Sequence, residues 1–163
     1  LAVSGDLHNS LRLQTLRDLS EIRQLVDVIC RERALAERWI PKASIDGRTY
    51  DLRILVIGGN ARHVVVRTSR SPITNLHLGN KRGDPEAVRK QLGESKWAVA
   101  LRTAETAAAC FLGCHYLAVD LMVDSALRGF VVAEVNAFGD LLPGILWNGM
   151  NPCEAELQEW MAP

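Results

Sequence analysis

The feature that most constrains the fold is a period of two that runs through residues 116–123 and again through 129–137. In the first stretch Leu117, Val119, Leu121 and Val123 are apolar, and in the second Val131, Ala133, Val135 and Ala137 are. Side chains of a strand alternate between its two faces, so the pattern predicts a β-hairpin whose odd positions meet a core. The even positions are then gathered on the other face: Asp120 and Met122 from one strand, Val132, Glu134 and Asn136 from its partner. With the turn centred near Leu127, Asp120 lies across from Glu134. Two carboxylates so placed repel unless a cation or a basic partner lies between them. Asn136 adds a neutral oxygen, and hard oxygen donors of this kind suit Mg²⁺, which keeps several waters and takes one or two carboxylates. Spacing leaves two alternatives open: a simply solvated face and a surface Ca²⁺ site.

A second hairpin precedes this one. Residues 52–57 are aliphatic and β-branched, Gly58-Gly59-Asn60 is turn sequence, and residues 62–68 are again rich in Val. With its turn on Gly59, Asp51 opposes Arg67 and Arg53 shares their face. The guanidinium forks of Arg53 and Arg67 suit phosphate or a developing oxyanion, while a surface ion pair with Asp51 is the bland alternative. The loop that follows carries Asn75, His77, Gly79 and Asn80 among the cations Arg70, Lys81 and Arg82. It is read either as an anion-wrapping loop or as a solvated connector, and it matches no P-loop or dinucleotide motif.

Helices fill the rest. Asn9 or Ser10 is placed to cap a helix with an apolar stripe through Leu13, Leu16, Leu19, Ile22, Leu25, Val26 and Ile29, which should pack on something. Residues 37–41 read as extended because of Trp39, Ile40 and the Pro41 that follows them. Asp84-Pro85 starts a helix, residues 96–113 form another with Trp97, Leu101, Ala104, Ala108, Phe111 and Leu112 on its apolar face, and residues 152–161 form a surface helix. The fold class expected is α+β, an antiparallel β-sheet with flanking helices.

Composition narrows the function. The 163 residues hold 19 Lys+Arg and 19 Asp+Glu, so the chain lacks the basic excess of a duplex binder, and nucleic acid is not an expected partner. Apolar runs fall short of a membrane span, and residues 1–15 lack a secretory pattern, so a cytoplasmic protein without a membrane partner is expected. Cys30, Cys110, Cys114 and Cys153 form no Cys-x-x-Cys pair and read as reduced, buried thiols. The alternative for Cys110, Cys114 and His115 is a metal on one helical face.

The order of these elements resembles the C-terminal half of an ATP-grasp ligase of the glutathione synthetase and ribosomal-protein glutamate ligase branch. The resemblance spans about residues 37–144: an extended segment at 37–40, Asp51-x-Arg53 opening a hairpin, Arg67 ending it, Asn75-Leu76-x-x-Gly79, an alanine-rich helix, Asp120, and Glu134-x-Asn136. The strings ERWIPKA, TNLHLGN and EVNAFGDLLPG are similar to an uncharacterised bacterial subgroup of that superfamily. The resemblance implies that Asp120, Glu134 and Asn136 hold Mg²⁺, with Mn²⁺ an acceptable substitute, against the phosphates of ATP. It implies catalytic roles for Arg67 and Arg53, adenine contacts around Arg38, Trp39 and Ile40, and a substrate side lined by Asn75, His77 and Gly79. The partners implied are ATP, a small-molecule or peptide carboxylate and an amine acceptor; self-association through the stripe of residues 13–29 is a further expectation. Lys42 stands where relatives carry a ribose-binding acid, and Asn80 replaces the second glycine of a Gly-Gly pair. Residues 1–36 would be a helical remnant of the preceding subdomain and 37–163 the C-terminal subdomain. The start at Leu1 agrees with a fragment of a longer enzyme. In that complete enzyme, Asp120→Asn or Glu134→Gln is expected to abolish ATP turnover and spare the fold.

Overall fold

The structure, a computed structural model, describes residues 2–3, 6–7, 15–32, 37–74, 76, 79–137 and 142–161. The chain divides into two compact units, Leu1–Trp39 and Ile40–Pro163. In the first unit β1 (Ala2–Val3) pairs antiparallel with β2 (Asp6–Leu7), and α1 (Leu19–Ile29) runs into a short 3₁₀ turn, Cys30–Glu32. The helix starts later than the stripe of apolar residues suggests. Asp18 is extended and its Oδ1 accepts from the backbone N–H groups of Ser20 at 2.8 Å and Glu21 at 3.1 Å, so it satisfies two of the otherwise unpaired donors of the first turn. Leu16 therefore precedes the helix, and Asn9, Ser10 and Leu13 lie outside the described residues. The stripe does not pack as expected, since α1 has no buried residue.

The second unit is α+β, an antiparallel sheet flanked by helices. Its described strands are β3 (Ser44–Ile45), β4 (Arg48–Ile57), β5 (Asn60–Ser69), β6 (Lys81–Gly83), β7 (Tyr116–Val123) and β8 (Phe130–Asn136), in the order β6-β5-β4-β7-β8 with β3 on β4. The β4–β5 hairpin turns at Gly58 and Gly59, both at positive φ (59° and 79°), the geometry of a two-residue turn that keeps the strand twist. A side chain at Gly58 would also run into Glu159. The Asp46-Gly47 pair makes the same kind of turn between β3 and β4, with φ of 50° and 69°. Two short strands were missed by periodicity. β3 and β6 are too short to show alternation, and β6 lies against β5 because Gly83 has no Cβ, which would fall 2.7 Å from Thr68 Cγ2.

One face of this sheet is covered by α2 (Pro85–Leu92) and α3 (Glu94–Ala108). Tyr50, Leu52, Ile54 and Val56 of β4, Val66 of β5, and Leu117, Val119, Leu121 and Val123 of β7 meet Val88, Leu92, Trp97, Ala100 and Ala104 there. Asp84 caps α2 by accepting from Glu86 N at 2.9 Å, with Pro85 in the first turn, as the sequence predicts. Helix α3 stops at Ala108, not near residue 113. Phe111 and Leu112 follow in a turn and are exposed, and all four cysteines are free and exposed instead of buried, Cys110 and Cys114 because they fall beyond the helix end. The opposite face carries a second core at one end, where Leu55, Ile57, Val65 and Ala118 meet Leu142 and Ala155 of the C-terminal segment. That segment includes α4 (Pro152–Met161) and is stapled by Arg62, which pairs with Glu159, donates to Ala155 O at 3.2 Å and lies 4.8 Å from the Trp147 ring centre.

Residues 37–41, read as extended, pair with no strand. The chain joins the sheet only at Lys42, which bridges Asp124, and at Ala43, whose N–H donates to Val123 O at 2.8 Å. Pro41 has no N–H to extend the ladder and contributes only its carbonyl, to Ser125 N at 3.0 Å.

Candidate functional site

The other end of that second face is charged. Register puts Asp51 of β4 opposite Arg67 of β5, Arg53 of β4 opposite Asp120 of β7, and Asp120 opposite Glu134 of β8, so all five share one face. The pairing of Asp51 with Arg67 and of Asp120 with Glu134 follows the alternation read from the sequence. The phase of β8 does not follow it throughout. A bulge lies opposite Asp120 and Leu121, where Leu121 pairs with Val132 and Asp120 with Glu134. Ala133 is the additional residue, so Val132 turns to the helix-covered core beside Val135, and Val131 pairs with Met122.

The side chains of this patch are joined in one network. Arg53 grips Asp120 with two donors, Nε to Oδ1 at 2.8 Å and Nη2 to Oδ2 at 3.1 Å. Arg67 spans both aspartates, Nε to Asp51 Oδ1 at 2.7 Å and Nη1 to Asp120 Oδ2 at 3.0 Å. Lys42 Nζ donates to Asp51 Oδ2 at 2.9 Å and to Thr74 Oγ1 at 2.7 Å, and the Thr74 hydroxyl donates to Asp51 Oδ2. The surface ion pair considered for Asp51 and Arg67 is thus a buried one: Asp51 is 4% exposed and Asp120 5%. Burial by itself would push the Asp51 carboxyl up. Hydrogen bonding and charge from Arg67, with the Thr74 hydroxyl and the Lys42 charge, outweigh it and hold Asp51 below its ordinary value. Burial likewise acts to lower Arg67, and Asp51 and Asp120 together raise it, so its charge is permanent.

Lys42, Arg53 and Arg67 set three cations against the two buried carboxylates, and Glu134 on the same face brings the formal charge of the patch to zero. Glu134 is exposed, and Asn136, opposite Ala118, is half-buried. Among the described residues there is no group of three or more His, Cys, Asp or Glu that could hold a metal ion. Asp120 has both oxygens engaged by arginines. The Nδ2 atom of Asn136, in contrast, is buried without a partner among the described residues, and turning the amide over would place its oxygen there. One exposed carboxylate beside an amide with spare coordinating capacity fits a hard divalent ion that takes most of its other oxygens from a ligand.

The remaining residues singled out by sequence are dispersed. Arg38 and Trp39 belong to the first unit and are exposed; Ile40 opens the second and is half-buried. Lys42, which the resemblance puts at the ribose-binding position among the ATP contacts, is turned onto Asp51 and Thr74. Gly79 lies in a turn at φ 76°, and Asn75 and His77 lie outside the described residues. Asn80 Nδ2 donates to Ile73 O at 2.8 Å. Cys110, Cys114 and His115 make no metal group among the described residues; the His115 ring stacks on Trp160, centroids 4.3 Å apart. Thr74 had no signal in sequence, being one hydroxyl in a polar loop. No model of a known protein family matches the chain, and a search of curated proteins finds no match.

Proposed function

We propose that Ile40–Pro163 supplies one wall of an ATP- and Mg²⁺-dependent carboxylate–amine ligase working through an acyl-phosphate. The observation that carries the reading is the buried network of Lys42, Asp51, Arg53, Arg67 and Asp120, extended across the same face to Glu134 and Asn136. Replacing such ion pairs by apolar side chains is often neutral or stabilising, so a buried network of this kind suits chemistry better than stability. Arg53 and Arg67 are held in fixed directions by the two aspartates, and so meet a transferred phosphoryl or a tetrahedral oxyanion without reorganising. Glu134 and Asn136 would hold Mg²⁺, which when bound neutralises phosphate charge during transfer, while Asp120 stays engaged by Arg53 and Arg67. The carboxylate substrate attacks the γ-phosphate, ADP leaves, and an amine displaces phosphate from the acyl-phosphate. The partners in this reading are ATP, a small-molecule or peptide carboxylate and an amine. Nucleic acid has no part in it, and the location is cytoplasmic. Among the described residues no helix is long and apolar enough to cross a membrane.

One observation favours a second reading. Asp120 is saturated by two guanidiniums, which suits a nucleotide-binding or regulatory module that is catalytically incomplete and acts with a partner; the exposed Leu19, Leu25, Val26 and Ile29 of α1 would serve self-association. Thermal unfolding with Mg²⁺ and a non-hydrolysable ATP analogue tests the shared premise. A rise in Tm that needs both components is expected. No rise, or an equal rise with Ca²⁺ alone, contradicts it.

A further inference from the structure

Lys42 and Thr74 come from segments on either side of the β4–β5 hairpin, yet both end on the same oxygen of Asp51. Lysine only donates and an ionised carboxylate only accepts, so the Thr74 hydroxyl between them has one arrangement: it accepts from Lys42 and gives its proton to Asp51. Thr74 is 2% exposed. The other oxygen of Asp51 takes Arg67 Nε. Both ends of this triad are anchored. Lys42 is pinned by the Asp124 bridge, by Ala43 N–H donating to Val123 O at the end of β7, and by Ser125 N–H donating to Pro41 O. Thr74 closes a turn in which Ser71 N donates to Ser69 Oγ at 2.9 Å, and Thr49 Oγ1 donates to Ser71 O at 2.7 Å.

We propose that Lys42, Asp51 and Thr74 form a latch that fixes residues 70–74 after β5 and, through Asp51, sets the direction of the Arg67 guanidinium. The three are positioning residues, and Lys42 is committed to the loop instead of to a nucleotide. The loop and the arginine share one carboxylate, so displacing Thr74 loosens both. The role assigned to Arg67 in catalysis rests on the ligase reading; the latch itself does not.

Amide hydrogen exchange on the full 163-residue chain decides it, with Thr74→Val, Thr74→Ser and wild type compared. Valine keeps the shape and removes the hydroxyl. The latch predicts that Thr74→Val speeds exchange at Ser71, Ile73 and residue 74 by about tenfold or more, as expected for one lost charge-assisted hydrogen bond, while Ile54 and Val119 in the central strands keep wild-type rates. Thr74→Ser is expected to restore the slow rates. Unchanged exchange at these three amides in Thr74→Val overturns the latch, as does a uniform acceleration in every strand, which marks a general packing role. Where Thr74→Val does not fold, fast exchange at the same amides in Thr74→Ser overturns it too. The nucleotide thermal shift is independent: its failure removes the ligase reading, and the exchange pattern still decides the latch.

Discussion

The same three strands treat the two ends of one sheet face in opposite ways. At one end Leu55, Ile57, Val65 and Ala118 are buried under Leu142 and Ala155, a cover the chain supplies from its own C-terminal segment. Two residues along β4, β5 and β7 the positions become Arg53, Arg67 and Asp120, and burial there is achieved by charges neutralising one another. An apolar patch is completed by anything apolar that fits. A charged patch is completed only by partners in fixed directions, and those directions are what a ligand meets.

The comparison is broken most severely by removing a carboxylate. Asp120→Ala removes the carboxylate that Arg53 and Arg67 share and is expected to destabilise by about 3–5 kcal/mol in denaturant unfolding, more than a truncation at the apolar end. Leu55→Ala at the covered end should lose about 3 kcal/mol by the same measurement, through lost transfer energy and a cavity. Equal losses would erase the distinction between the two ends.

Acid separates the ends in a smaller way. His63 is buried under the C-terminal segment with Nε2 on Met150 O at 2.9 Å and Nδ1 without a partner among the described residues. Burial, helped by the Arg62 charge and opposed by the Met150 hydrogen bond, lowers its pKa from 6.5. Above pH 6.5 both states are neutral there and its favourable contribution is complete. As pH falls below 6.5 the unfolded state takes the proton first, and stability declines until the lowered folded value is passed. Asp51 has the same sign in a lower window: its contribution holds above the unfolded value of 3.8 and is lost as pH falls through its lowered folded value. Unfolding followed from pH 8 to pH 3 should therefore fall in two stages, with His63→Gln removing only the first.

The legible parts of this fold are those in which neighbours in sequence decide the outcome. Gly58-Gly59 fixed the β4–β5 hairpin, and its register alone placed Asp51 against Arg67. The β8 bulge was hidden because Val131, Val132 and Ala133 are all apolar, so alternation carries no phase across them. Lys42 and Thr74 reach Asp51 from segments with no periodicity, and only the tertiary structure unites them. Exposed Cys110 and Cys114 read as buried in sequence because apolar Ala109, Phe111 and Leu112 continue past the end of α3, where Gly113 at φ 81° marks the turn.

The smallest structural change gives the most direct test of the central claim. Glu134 is exposed, so Glu134→Gln should alter stability by less than about 0.5 kcal/mol. Calorimetric titration of wild type and Glu134→Gln with a non-hydrolysable ATP analogue, with and without Mg²⁺, isolates its role. The account predicts Mg²⁺-dependent binding to wild type that is weakened at least about tenfold in the variant, the loss of one carboxylate ligand. Equal Mg²⁺-dependent affinity in the two proteins would contradict it.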